Sequence, residues 1–155
     1  MRVQHESFGK SIAQTPVISV GAYTAKDAVG GLLTFANAAV VPGGKGVINT
    51  VTIIDHDDEK AALELWLFSE DPTVAVDKDP MDFTDALLLK CVGVVPIATT
   101  DYFSLADNGV ACLRGVGLQY QCTAMALYGQ LKCVATPTYT AATDLTVIIA
   151  VEYLD

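Results

Sequence analysis

The stretch LELWLF, Leu63–Phe68, places a leucine at every second position. Residues two apart point to the same face of a β-strand, so this pattern predicts a strand with a leucine face turned toward a core. The stretch MALYGQLK at 125–132 alternates in the same way. The two segments together indicate a protein built from sheets.

Further strands are predicted at 16–20, 29–35, 47–55, 91–98, 101–105, 110–122 and 145–154, separated by short turns such as PGGKG, DHDDEK and ADNG. Many short strands with turns between them predict an all-β protein, an antiparallel β-sandwich. Tight glycine-rich and acidic turns of this kind are typical of hairpins.

A single segment, DPMDFTDALLL at 79–89, is predicted to be a short helix. Asp79 could cap it, Pro80 fits the first helical position, and Phe83 and Leu87 would share a face. A helix that crosses between sheets favours a jelly roll as the topology of the sandwich. An immunoglobulin-like sandwich is the alternative, and it would need fewer strands and no such crossing.

The composition is more apolar than one small globule needs. The chain of 155 residues is 52% hydrophobic and 17% charged, against about 45–50% and about 25% in typical soluble domains. No run approaches the roughly 18 apolar residues of a membrane helix, so we expect no membrane partner. We expect instead a homo-oligomer whose subunits bury apolar surface against each other.

The charge excludes one class of partner. The net charge is −9, and the few Lys and Arg residues are scattered, whereas nucleic-acid binding needs them clustered. The opening residues lack the basic start, apolar core and cleavage site of a secretion signal, which predicts synthesis and assembly in the cytoplasm.

The first fourteen residues, MRVQHESFGKSIAQ, are polar and show no sustained period. We predict an extended N-terminal arm at 1–14 and a single β-sandwich domain at 15–155. The arm is expected to lie on a neighbouring chain, with Phe8 and Ile12 as its anchors.

No motif for phosphate binding or for catalysis is found. The pair Gly30 and Gly31 fits neither G-x-G-x-x-G nor a P-loop and is interpreted as a β-bulge or a close approach of two backbones, and Gly43–Gly46 is interpreted as a hairpin turn. His5 and His56 cannot supply a cupin-type metal cluster or a catalytic relay. We therefore predict no catalytic residues, no metal site, no cofactor and no enzymatic activity.

The acidic segments and the cysteines are given structural interpretations. The turn IIDHDDEK at 53–60 and the loop at 69–85 are read as solvated acidic segments, with a cation site or a glycosidase carboxylate pair as alternatives. The cysteines lack CxxC spacing and are predicted to be reduced core thiols, with a bridge between Cys112 and Cys122 as the alternative.

Aromatic residues are the candidates for a contact surface. Trp66 and Phe68 are out of phase with the leucines of LELWLF, and Tyr102 and Phe103 are adjacent, so one ring of that pair must point away from the core. We interpret these four side chains as a subunit interface, with an aromatic sugar-binding platform as the alternative.

The segments YTAKDAVGG at 23–31 and TPTYTAATDLTV at 136–147, within a likeness that extends from about Ala22 to the C-terminus, resemble head decoration, or cement, proteins of tailed bacteriophages. The resemblance implies a β-rich virion protein on the outer surface of the capsid, often a trimer, whose partner is the major capsid protein. Residues 1–14 lie outside it. The alternatives are a carbohydrate- or receptor-binding module of a phage tail or fibre and, less favoured, a hydrolase that uses loop carboxylates.

Overall fold

The computed structural model describes residues 9–154. The strands are β1 (Gly9–Gln14), β2 (Gly21–Ala22), β3 (Ala28–Phe35), β4 (Lys45–Asp55), β5 (Leu63–Phe68), β6 (Cys91–Ile97), β7 (Tyr102–Ser104), β8 (Gly109–Gln121), β9 (Leu127–Cys133), β10 (Thr138–Tyr139) and β11 (Leu145–Tyr153). One helical turn, α1 (Asp85–Leu88), and one 3₁₀ turn, Thr99–Asp101, lie in the connections. Within residues 9–154, no helix has the length and apolar character needed to cross a bilayer.

The strands form a jelly roll. Sheet I has the order β1-β11-β4-β8-β7, and sheet II has the order β3-β9-β5-β6, with every pair antiparallel. Along the eight longer strands, the chain changes sheet at every connection except the one from β5 to β6. Without the three-residue β7 at the edge of sheet I, each sheet has four long strands. Two such sheets connected in this way form an eight-stranded jelly roll, so the predicted fold class is confirmed.

The core lies between the sheets, and strand alternation selects its side chains. Sheet I contributes Val51, Ile53 and Ile149, and sheet II contributes Leu63 and Leu65, each no more than 1% exposed. Full burial of such a side chain contributes about 1.5–3 kcal/mol. The leucine face of LELWLF is therefore the core face, as its alternation predicts.

The predicted helix is reduced to its last turn. Thr84, rather than Asp79, caps α1, and its Oγ1 accepts a hydrogen bond from the Leu87 N–H at 3.3 Å. Upstream, the backbone runs beside the start of β3: Lys78 N–H donates to the Ala28 carbonyl at 2.9 Å, and Ala28 N–H donates to the Asp79 carbonyl at 2.8 Å. Met81 N–H also donates to the Lys26 carbonyl at 2.9 Å. The start of this segment is therefore bonded to the residues in and before β3 instead of forming a helical turn, and the helix prediction is wrong for residues 79–84.

Two predictions near the N-terminus change. Residues 16–20 are not in a sheet, although Pro16 and Ile18 are buried, so the strand prediction there is wrong. Gly9–Gln14, the second part of the predicted arm, form β1 and pair with β11 of the same chain. Residues 9–14 therefore belong to sheet I. Residues 1–8, including Phe8, lie outside the described residues, and a contact between them and a neighbouring chain stays a prediction.

The glycine interpretations are confirmed in one place and wrong in another. At Gly30 the β3–β9 register shifts, φ is +78°, and an added Cβ would lie 2.6 Å from the Pro16 Cβ. This is both a bulge and a close approach. The turn at Gly43, closed by Gly44 N–H donating to the Val41 carbonyl at 2.9 Å, connects β3 to β4 in the other sheet. It is therefore not a hairpin turn.

Candidate interaction surfaces

The long connection from β5 to β6, residues 69–90, covers part of the outer face of sheet II. Its Phe83 ring packs against Phe68 with centroids 4.7 Å apart and against Trp66 with centroids 6.1 Å apart. Trp66 Nε1–H also donates to Glu64 Oε2 at 3.2 Å, and Lys132 forms an ion pair with Glu64 at 3.0 Å. The face predicted to contact another subunit is thus largely covered by this chain itself.

Asp77 fastens this connection to the sandwich. Its carboxylate accepts hydrogen bonds from Ser19 N–H at 2.9 Å, Tyr23 O–H at 2.7 Å and Gly30 N–H at 2.6 Å. Burial raises the pKa of the Asp77 carboxyl, but these hydrogen bonds outweigh it and lower the pKa overall. Burial, together with the hydrogen bond to this carboxylate, raises the pKa of Tyr23.

Of the six residues predicted to form an interface, the five within residues 9–154 do not form one exposed surface, although Trp66 and Phe68 share the contact with Phe83. Ile12, Phe68 and Tyr102 are buried in this chain, and Tyr102 O–H donates to the Ala61 carbonyl at 3.0 Å. The side chains of these three residues therefore pack within their own chain. Trp66 is half-buried, Phe8 lies outside residues 9–154, and Phe103 alone presents its ring to solvent, at 75% exposure on edge strand β7.

The two sheets leave one side of the sandwich open. Strand β6 is the edge of sheet II, and β7 pairs with only Gly109–Ala111 of β8, so the rest of β8 has no strand beside it there among residues 9–154. We name this surface the open side; its lining is mostly apolar, with Val94, Pro96, Leu113, Val116, Leu118 and Val134, and it also includes the charged residues Arg114 and Glu64. Two hollows of about 340 and 420 Å³ adjoin there and share Val94 and Pro96.

Local backbone features shape the open side. Pro96 lies in an edge strand, where a missing N–H is tolerated. In β8, Gly115 and Gly117 have φ of +68° and +65°, beside a register shift against β4. Such left-handed glycines create a bulge with Val116 between them. Sequence reasoning missed this surface because LRGVGLQ was read as an uninterrupted strand, although its two glycines were the available signal.

The acidic turn connects two loops at one end of the sandwich. Asp55 is fully buried and accepts hydrogen bonds from Asp57 N–H at 2.9 Å and Lys60 N–H at 2.7 Å. Burial raises the pKa of the Asp55 carboxyl. Asp57 also accepts from Thr140 N–H at 3.0 Å. These carboxylates bind backbone groups, and residues 9–154 contain no cluster of three or more His, Cys, Asp or Glu suited to a metal ion.

The four thiols occupy different environments. All are unbridged; Cys122 and Cys133 are buried, Cys91 is half-buried, and Cys112 is exposed on β8. The prediction of core thiols is therefore confirmed for two residues and wrong for Cys112, and the alternative bridge between Cys112 and Cys122 is absent. Burial raises the pKa of the Cys122 thiol to about 11, which makes it unreactive at neutral pH.

No protein-family model and no curated protein sequence matches the chain. A chain from the X-ray structure of tomato aspermy virus is similar at TM-score 0.43 and 12% identity, with 100% of this chain and 81% of that chain covered. A chain from the full particle of Israeli acute paralysis virus is similar at TM-score 0.31 and 10% identity, with 96% of this chain and 67% of that chain covered. A chain from infectious bursal disease virus strain Gt is similar at TM-score 0.30 and 7% identity, with 93% of this chain and 36% of that chain covered.

Proposed function

We propose that this chain is a structural protein of a virion, and specifically a decoration or cement protein on the outer surface of a tailed-phage head. The observation that carries the proposal is the open side, where mostly apolar side chains from both sheets line two adjoining hollows. Exposed apolar surface shared by two sheet edges marks a site of protein association. The likeness of YTAKDAVGG and TPTYTAATDLTV to decoration proteins supports the choice of partner.

The mechanism of such a protein is thermodynamic. A protein that binds the assembled shell but not its separated subunits stabilises the shell by mass action. Many copies at symmetry-related positions convert a modest contact into a large total effect. The function needs no reaction centre, so the protein acts by binding and not as an enzyme.

Self-association places the open side between subunits. Val94 and Pro96 project from β6, and Leu113, Val116 and Leu118 approach from β8, so an apolar segment of a neighbour would contact both sheets at once. We take the oligomer to be a trimer, as the resemblance implies. Residues 1–8, preceding the edge strand β1 on the opposite side of sheet I, are the proposed arm between subunits.

One observation favours a second function, a carbohydrate- or receptor-binding module of a tail or fibre. A hollow of about 230 Å³ is lined by the aromatic residues Trp66 and Phe83 and by the charged residues Asp82 and Lys132, among others. Aromatic rings beside charged hydrogen-bonding groups can hold a sugar. Loss of glycan binding in Trp66→Ala, with oligomer mass unchanged, would support this function and contradict the first.

The test combines mass in solution with binding to shells. Light scattering on the 16.4 kDa chain should give the mass of a trimer, and the protein should cosediment with heads purified from a phage that lacks it. Val94→Asp should reduce the mass toward that of a monomer. Val76→Asp, the same substitution at a valine that is 70% exposed on the long connection, is the matched control. A monomeric wild type that ignores the heads would refute the proposal.

A further inference from the structure

The open side and the start of the described chain lie on opposite flanks of the sandwich. Strands β6 and β8 border the open side, whereas β1 is the edge of sheet I on the other flank. From Gly9, the first residue of β1, the sheet must be crossed through β11 and β4 to reach β8. Three strand spacings separate the two, a distance of about 14 Å.

The open side is a groove with one unneutralised charge. At Gly93 the two sheets are in contact, because an added Cβ would lie 2.6 Å from Leu118 Cδ1. Beyond this contact, apolar side chains of β6 and β8 line the hollow of about 340 Å³ together with Arg114. Arg114 is exposed and forms no ion pair with any residue of 9–154. Such a groove fits an apolar side chain that has a carboxylate close by.

The residues that precede β1 supply this combination. Phe8 is an aromatic residue next to Gly9, and Glu6 is the single acidic residue among residues 1–8. Residues two apart point to the same side of an extended chain, about 7 Å from each other. An aromatic ring seated in the hollow would therefore place the carboxylate near the guanidinium of Arg114.

The edges of the groove favour recognition by side chains over the addition of a complete strand. Pro96 in β6 has no N–H, and Gly115 and Gly117 interrupt β8 with a bulge. A segment bound between these strands cannot form a continuous ladder with either of them. A buried aromatic anchor and a paired charge would then determine which segment binds.

We infer that Phe8 and Glu6 of one copy occupy the open side of the next copy, with the Phe8 ring in the hollow and the Glu6 carboxylate paired with Arg114. The inference rests on the proposed function and names the segment that fills its subunit contact. The same chain cannot supply the ring, because the Cα of Phe8 is about 3.8 Å from that of Gly9, and β8 is three strands away.

This contact determines the type of symmetry. The donated segment and the groove that accepts it lie on opposite flanks, so the two surfaces in contact are different. Such a contact is heterologous, and repeated copies close into a ring instead of pairing as a twofold dimer. A ring of three agrees with the trimer in the proposed function.

The test exchanges the two charges in the full chain. Glu6→Arg and Arg114→Glu should each raise the dissociation constant of the oligomer roughly tenfold or more, because like charges would then meet in the contact. The double variant should return it to within about threefold of the wild type, because the pair is restored with reversed signs. Asp71→Arg makes the same charge change at an exposed residue of the 69–90 connection and is the control. Light scattering over a dilution series measures the constants.

Two results would overturn the inference. One is a dissociation constant for both single variants equal to that of Asp71→Arg, and the other is a double variant that associates no better than the single ones. A one-to-one mixture of the single variants should associate more strongly than either alone, because two of the three contacts in a mixed ring are complementary. No gain in the mixture would also overturn the inference, since the segment would not reach another copy.

Further outcomes separate this inference from the function on which it rests. If the wild type is monomeric and ignores heads, the proposed function fails. If Val94→Asp dissociates the oligomer while both single charge variants keep the wild-type mass at every dilution, the open side is a subunit contact with a different occupant. The proposed function then stands, and the inference about Phe8 and Glu6 is wrong.

Discussion

Asp77→Asn is expected to lower the free energy of unfolding at pH 7 by about 2–3 kcal/mol. The carboxylate accepts from Ser19, Tyr23 and Gly30 at 2.6–2.9 Å, and a hydrogen bond to a charged acceptor contributes about 1.5–3 kcal/mol. An amide in its place keeps one acceptor oxygen and turns an N–H₂ group toward a donor. At least one of these bonds is lost, and the others become neutral.

The pH dependence of this loss follows from the lowered pKa of Asp77. The unfolded chain has an Asp pKa of about 3.9, and in the folded protein the Asp77 pKa is below its ordinary value. The carboxylate therefore contributes its stability fully above the unfolded pKa, and the contribution is lost as the pH falls through the folded pKa. The difference between wild type and Asp77→Asn should shrink as the pH is lowered from 5 to 2.5.

Urea unfolding at one protomer concentration measures both effects. With a slope of about 2 kcal/mol/M, the expected loss shifts the midpoint down by about 1 M at pH 7. Asp82→Asn, which removes the same charge from an exposed residue of the same connection, controls for the change in net charge. Equal midpoints for the two variants at pH 7, or a deficit for Asp77→Asn that stays constant down to pH 2.5, would refute the reasoning.

Three other substitutions test separate parts of the structure. Gly30→Ala should lower the free energy of unfolding by about 2–4 kcal/mol in the same assay, because the new Cβ would clash with Pro16 and the backbone at φ +78° is strained for alanine. The control Gly31→Ala, whose Cβ would meet no atom within 4 Å, should lower it far less. Equal losses in the two variants would contradict this prediction. Phe83→Ala should expose Trp66, the single tryptophan, and shift its fluorescence emission to the red, whereas an unchanged spectrum would mean that the ring is not covered. Cys112 should react first with a thiol reagent in the native protein, and Cys112→Ser should remove that fast phase; uniform reaction of all thiols would contradict the assigned burial.

Most strands could be predicted from the sequence because one face of each is buried. The leucines of β5 and the alternating Val and Ile of β4 and β11 carry a period of two that survives in the fold. β1 could not be predicted, because its sequence GKSIAQ is polar and only Ile12 turns inward at an edge. Residues 16–20 show the reverse error: their alternation reflects the burial of Pro16 and Ile18 in a crossing that pairs with no strand.

The location of the candidate surfaces could not be predicted from the composition, because it depends on which apolar side chains are covered by other parts of the same chain. An excess of apolar residues predicts additional burial, but not whether another subunit or the same chain provides it. Around Trp66 and Phe68 the same chain provides it through Phe83, a residue assigned in the sequence to one face of a helix. The open side emerged only from the strand order, which ends both sheets at the same flank.

The loops ANAAVVPGG at 36–44 and CTAMA at 122–126 contain no charged residue and meet at one end of the sandwich, whereas the acidic turn after β4 lies at the other end. This arrangement could have been derived from the sequence by counting strands, and the misassignment of one short segment prevented it. Each strand that spans the sandwich carries the chain to the opposite end, so successive loops alternate between ends. By this count ANAAVVPGG and the acidic turn after β4 lie at opposite ends, as they do. Reading DYFSL at 101–105 as a spanning strand would place CTAMA at the acidic end. In the structure β7 has only three residues. Strand β6 is antiparallel to β5 and β7 is antiparallel to β8, and β5 and β8 run in the same direction, so β7 runs in the same direction as β6. It adds no passage between ends, and this is why the two uncharged loops meet.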